Sequence, residues 1–384
     1  MQLLLESLFN GVAIGSVLMM AALGLAIVFG LMGVINLAHG ELIMLGAYTT
    51  YVVQMVFKLP AFQPIYSLYV LVAIPLAFVV SGVVGILLER TVIRRLYGSP
   101  LETLLATWGV SLILQQFVRS VPLAHAAGLI LALVLGFGLP LVLPQPLFEG
   151  PKARINRAIT WAVSAFGGVL LAGGLASQIS RIARATSRNV DVTAPKWMRG
   201  GIEWMDITFP VPRLVIIVMT ILAVLGVTWF LNRSVWGMRI RAVTQNRSMS
   251  DCLGIPTDTV DVLTFGIGSG LAGVAGVAVS LLGSVGPNVG GSYIVGCFMV
   301  VVLGGVGNLL GTVLASFAIG LLTDLIGAGR LLTIWPEMPA PLAGTVNFFA
   351  TTSMAQVLVF ALIVVFLQFR PAGLFPQKGR MVEA

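Results

Sequence analysis

The sequence predicts an all-α fold, a polytopic bundle of membrane helices in which residues 1–384 form one domain, and three observations carry that prediction. Of the 384 residues, 58% are hydrophobic and only 9% charged, and mean hydropathy is +1.02, values that would leave a soluble domain covered in apolar patches. Apolar runs close to the ~20 residues that cross a bilayer core as helix recur along the whole chain, and no polar block is large enough for a soluble domain. The 22 Lys and Arg lie in loops between these runs, without the aromatic interleaving of a nucleic-acid surface, so the net charge of +8 reads as membrane orientation. The lipid bilayer is the expected surrounding, and nucleic acid is not an expected partner.

Taken in order, the candidate spans are 8–32, 42–57, 66–88, 101–118, 123–143, 158–176, 213–231, 261–283, 293–306, 309–326 and 353–369, about eleven in all. Placing Arg90, Arg94 and Arg95 in the cytoplasm puts Lys152, Arg154 and Arg157 there too, then Arg233, Arg239, Arg241 and Arg247, and finally Arg370, Lys378 and Arg380 with a cytoplasmic C-terminus. Arg181, Arg184, Arg188, Lys196, Arg199 and Arg213 resist the rule, because this topology puts all six outside. The start, "MQLLLESLFNG", has no basic residue before its apolar run and is expected to begin the mature protein. Small-residue spacings such as Gly266, Gly270 and Gly273 predict close helix packing and no particular activity.

Three polar stretches interrupt the apolar pattern. "VINLAHGELIMLGAY" places Asn36, His39 and Glu41 at the expected cytoplasmic end of the first span. They either cap helix ends and turn amides or line a polar path through a broken helix. "LETLLATWGVSLILQQ" brings Glu102, Thr103, Thr107 and Trp108 near one another, with Gln115 and Gln116 toward the far end. Ser99 with Glu102 fits a capping box, while hydroxyls, carboxamide and indole on one helix also suit a small neutral solute. The segment 232–260 alternates Trp236, Ile240, Val243 and Met249 with Arg239, Arg241, Gln245 and Arg247, predicting one or two amphipathic helices that stop near Gly254 and Pro256. Such a segment is either a solvated basic loop or a docking element for a soluble partner.

Several chemistries are excluded. None of the four lysines follows a glycine, so there is no phosphate loop and the chain cannot hydrolyse ATP alone. His39 and His125 are the only histidines, His-Glu-x-x-His is absent, and "IGSG" at 267–270 lacks the leading glycine of an intramembrane serine protease motif. Cys252 and Cys297 offer neither metal spacing nor a disulfide. No enzyme constellation and no cofactor of the chain's own are expected.

The stretches "GLAIVFGLMGVINLAHGELIMLGAY", "RAVTQNRSMSDCLGIPTDTVDVLTFGIGSGLAGVAG" and "SVGPNVGGSYIVGCFMVVVLGGVGNLLGTVLA" resemble the membrane subunits of branched-chain amino-acid ABC importers, over about four fifths of the chain. "RRLYGSPLETLLATWGVSLILQQ" resembles more narrowly the permease of the urea importers. The resemblance implies a bacterial inner-membrane permease that pairs with a second, homologous permease, binds two cytoplasmic ATPase subunits carrying ATP and Mg, and receives its solute from a periplasmic binding protein. It makes Arg241, Ala242, Asn246, Met249, Gly254 and Ile255 the ATPase-coupling candidates. It also makes Asn36, Ala38, His39, Gly40 and Glu41 a shared structural or gating element, and moves the search for solute selection to Glu102, Thr103, Thr107 and Trp108, with Glu102 expected to accept from urea NH2. Against the family pattern, 121–190 reads as an inserted transmembrane hairpin added to about nine core helices, and 329–352 as a proline-rich external loop.

The leading expectation is thus a urea permease powered by partner ATPases. The alternatives are a branched-chain amino-acid or short-amide permease of the same family, and an ATP-independent urea channel, which would have no need of a docking loop. Finally, "LMGVINL" at 31–37 and "LGGVGNL" at 303–309 agree at five of seven positions. Both are expected on the cytoplasmic side, which is not the signature of an inverted repeat.

Overall fold

A computed structural model describes residues 2–121, 123–142, 156, 160–170, 189–204, 207–330, 344, 348 and 350–375. Its helices are α1 (Gln2–Ile27), α2 (His39–Phe57), α3 (Tyr69–Thr91), α4 (Pro100–Ser120) and α5 (Leu123–Val142). They continue with α6 (Thr160–Leu170), α7 (Val211–Arg233), α8 (Val235–Gln245), α9 (Arg247–Cys252), α10 (Thr257–Leu282), α11 (Val289–Gly304), α12 (Leu309–Gly327) and α13 (Thr352–Phe369). Among the described residues six helices are long and apolar enough to cross a membrane. The fold is the polytopic helical bundle that hydropathy predicts, and a two-stranded ribbon, β1 (Gly201–Trp204) against β2 (Ile207–Pro210), is a small addition to it.

Glycine builds the centre. Helix α10 is the buried core, packed on α1, α2 and α3. A Cβ on Gly46 would run into the Gly273 carbonyl, one on Gly276 into α2, and one on Gly24 into the Gly268 carbonyl, so backbone rests directly on backbone. Helix α12 approaches α1 in the same way, through Gly320 against Gly11 and Gly15.

At the end of the bundle expected outside, the segment around residues 193–197 lies over α2, α3 and the turn between them. The Thr193 carbonyl accepts from Gln54 Nε2 and from Tyr69 Oη, each at 2.8 Å, and Trp197 Nε1 donates to the Ser67 carbonyl at 2.7 Å. Arg213, one of the cations that strained the charge rule, is tied to Asn10 Oδ1. Arg330 joins Ser7 Oγ at 2.8 Å and Glu6 Oε1 at 3.1 Å. Lys152, Arg154, Arg157, Arg181, Arg184, Arg188, Lys378 and Arg380 lie outside the described residues, as do much of the expected hairpin 121–190 and most of 329–352.

One expectation is corrected. The polar stretch 36–41 is not at the cytoplasmic end of the first span. After a π-turn at Val28–Met32 and Gly33 at φ 69°, the chain turns back as a non-helical segment. Helix α2 starts where the His39 ring meets the Ala21 carbonyl and Gly24, near the middle of the 28-residue span Leu5–Met32. Hydropathy reads apolar length but carries no information on depth, so a re-entrant start looks like a tight turn.

Candidate functional site

The break between α1 and α2 is built from polar atoms buried at mid-bundle. Asn36 Oδ1 accepts from the Ala38 amide at 3.0 Å, an Asx-type turn that lets the chain change direction inside apolar surroundings. His39 Nε2 donates to the Ala21 carbonyl at 3.0 Å, which orients the ring. Glu41 stands in the first turn of α2, where the positive end of the helix dipole favours a carboxylate. Asn36 and His39 are fully buried and Glu41 is 1% exposed.

Helix α4 supplies the other wall. Thr103, Thr107, Ser111, Gln115 and Arg119 repeat every four residues and so share one face. Thr107 Oγ1 accepts from the Leu37 amide at 3.2 Å; Ser111 Oγ and Gln115 Nε2 donate to Glu41 Oε1 at 3.0 and 2.8 Å. Thr103 turns back to the Leu96 and Ser99 carbonyls, and Arg119 reaches Asn288 Oδ1 at 2.8 Å, just ahead of α11. The first turns of α2 and α11 touch, since a Cβ on Gly40 or on Gly290 would strike the other's backbone. Three atoms of this cluster have no protein hydrogen-bond partner: Asn36 Nδ2, His39 Nδ1 and Glu41 Oε2. A buried polar atom left unpaired costs about 1–3 kcal/mol, so the cluster carries an unspent donor and unspent acceptors.

The structure therefore brings together Asn36, His39, Glu41, Thr107 and Gln115 and adds Ser111, Arg119 and Asn288, which the sequence reading passed over. A count of polar residues at four-residue spacing would have found Ser111. Glu102 and Trp108 are not part of it. Both are exposed, about 100° round α4 from Thr103 and Thr107. Nor does Ser99 make a side-chain cap, so the capping-box alternative for Glu102 is not realised.

Among the coupling candidates, Asn246 caps α9 by accepting from the Met249 amide at 2.9 Å, and Gly254 ends it at φ 78°. The Ala242 carbonyl accepts from Asn246, the Ile255 amide donates to the Ser250 carbonyl, and Arg241 reaches Asn232 Oδ1. Met249, with Met238 and Leu253, is exposed on this surface. No group of three metal-ligating side chains occurs among the described residues, and Cys252 and Cys297 are free thiols in α9 and α11.

A family model described as "Branched-chain amino acid transport system / permease component" matches residues 7–367. The chain is 26% identical over 374 residues to the high-affinity branched-chain amino acid transport system permease protein LivH of Salmonella typhimurium, covering 96% of this chain and 94% of that one. It is 27% identical to LivH of Escherichia coli K12 with the same coverage. To the corresponding permease protein BraD of Pseudomonas aeruginosa it is 26% identical over 372 residues, 96% of this chain and 95% of the relative. No solved structure matches. A family match that spans residues 7–367 places this chain in the branched-chain amino acid transport system permease family.

Proposed function

We propose that the chain forms half of the path of an ATP-driven importer in a bacterial inner membrane, and that its solute is a small, uncharged, hydrogen-bonding molecule, with urea the candidate. The observation that carries the reading is the mid-bundle cluster, in which Glu41 is held on one oxygen by Ser111 and Gln115 while its other oxygen and the Asn36 amide stay unpaired. Urea has one carbonyl acceptor and two NH2 donors, and these groups suit both kinds of contact without a full countercharge. Energy comes from outside the chain, which has no phosphate loop. The exposed Met238, Met249 and Leu253 on α8–α9 suit a cytoplasmic ATPase, one of two, by helix-in-groove contact. The remaining partners are a second, homologous permease and a periplasmic binding protein on the opposite side.

A second reading has its own support. The relatives are named for branched-chain amino acid transport, and an amino acid would set its ammonium against Glu41 and its carboxylate toward Arg119. Uptake of labelled urea and labelled leucine by cells carrying the complete importer, with active or hydrolysis-dead ATPase, separates the two. Urea uptake abolished by the dead ATPase is expected. Leucine uptake instead would keep the architecture and replace the solute, and urea flux indifferent to the ATPase would mean a channel.

A further inference from the structure

A second polar cluster lies where the cytoplasmic ends of α3 and α10 meet the first turn of α9. Arg247, the first residue of α9, sets Nη2 2.7 Å from Asp261 Oδ2, a charge contact without the alignment of a hydrogen bond; Asp261 is 5% exposed and Arg247 45%. The same guanidinium lies 4.9 Å from the centre of the Tyr97 ring, in the turn between α3 and α4. The Tyr97 hydroxyl is buried without a partner, and burial, with Asp261 and Glu89 close by, pushes its phenol far above the ordinary value. Glu89 at the end of α3 is 1% exposed, and neither carboxylate oxygen has a hydrogen-bond partner. Arg90, Arg94 and Arg247 lie within its electrostatic reach, and Arg94 pairs with Asp258 on α10.

Charge bookkeeping makes Arg247 the sensitive member of this group. Two buried carboxylates, Glu89 and Asp261, face each other across α3 and α10, and one of the cations that offsets them stands on α9, a six-residue helix with exposed Met249. Moving α9 away would leave Asp261 buried without its cation, which is unfavourable, and would strip the cation from the face of Tyr97. Tyr97 lies three residues ahead of α4, the helix whose Thr107, Ser111 and Gln115 hold the α1–α2 break.

We propose that Arg247 is a positioning residue of transport, which ties the place of α9 to the core helix α10 through Asp261 and to the solute-lining helix α4 through Tyr97. The inference rests on ATPases docking at α8–α9.

The test uses the complete importer in proteoliposomes, measuring ATP hydrolysis and uptake of labelled urea or leucine, whichever the native complex takes up. Arg247→Gln is expected to leave ATPases bound and hydrolysing, while solute moved per ATP falls about tenfold or more, within the range of ordinary allosteric coupling. Adding Asp261→Asn to it should cause little further loss, since the two act as one pair. Tyr97→Phe should behave as native and Tyr97→Leu should uncouple in part, and this pair decides the matter if Arg247→Gln fails to assemble. Native solute-to-ATP ratios in Arg247→Gln or Tyr97→Leu, or hydrolysis and uptake falling in proportion, would overturn the proposal. ATPases that never co-purify with the native chain would instead sink the docking premise.

Discussion

The two helix breaks, Leu31–Leu37 and Leu303–Leu309, share five of seven residues, yet they turn differently, with Gly33 at ψ 16° and Gly305 at ψ 120° followed by Gly307 at φ 84°, and their polar atoms end differently. Each places a glycine at positive φ, Gly33 at 69° and Gly305 at 99°, and each carries an asparagine just before the next helix. They pack on one another, for a Cβ on Gly30 would lie 2.7 Å from Gly307 Cα. At the second break Asn308 caps α12 through the Gly311 amide at 3.2 Å, its Nδ2 donates to the Phe375 carbonyl, and the Leu374 amide donates to the Leu303 carbonyl at 2.8 Å. Every one of these groups is spent on structure. At the first break Asn36, His39 and Glu41 each keep one buried atom with no protein partner. One pattern thus makes a completed turn in one place and leaves unpaired buried polar atoms in the other, and that surplus is what the proposed solute path rests on.

That contrast can be broken at several strengths. Glu41→Leu should have the largest effect, because it removes the acceptor shared by the buried Ser111 and the half-buried Gln115; solute uptake should fall about 100-fold, two steps of roughly 1.4 kcal/mol. Gly305→Ala comes next, since a methyl there would sit 2.6 Å from the Phe375 carbonyl at a φ that non-glycine residues avoid. Melting of the purified protein should show a loss of about 2–4 kcal/mol. Gly33→Ala, with open space around it, should cost only about 1–2 kcal/mol. The two asparagines sharpen the comparison further. Asn308→Ala should cost about 1 kcal/mol of stability with uptake kinetics unchanged, whereas Asn36→Ala should raise KM severalfold and, because it leaves the buried Ala38 amide without its acceptor, should also cost about 1–3 kcal/mol of stability. Smallest of all, Glu102→Gln and Glu102→Ala should leave uptake and assembly within about twofold of native, as is usual for exposed substitutions.

Much of this was legible beforehand, for physical reasons that also explain the rest. Hydropathy located several helices closely, with 101–118 appearing as Pro100–Ser120 and 309–326 as Leu309–Gly327, because twenty apolar residues have few other places to go, while of the eleven expected spans six are long and apolar enough to cross among the described residues. The stop at Gly254 was equally readable from turn chemistry, whereas the pattern of 232–260 left one or two amphipathic helices open, and it is the cap at Asn246 that makes them two. Depth was not, so Asn36 to Glu41 looked like an interfacial turn. On α4 the polar residues were grouped by nearness in sequence, which joined Glu102 to Thr103, whereas the helix groups them by phase and joins Thr103 to Thr107, Ser111 and Gln115. Arg247 and Asp261 are fourteen positions apart, and only the packing of α9 on α10 makes them a pair.

The most direct test of the central claim is the uptake rate of labelled urea or leucine, whichever the native complex takes up, by the complete importer carrying Glu41→Leu, measured beside Asn308→Ala at equal amounts of assembled complex. The account predicts a loss of about 100-fold in the first and native uptake in the second. Native uptake with Glu41→Leu, or an equal loss in both, would contradict it.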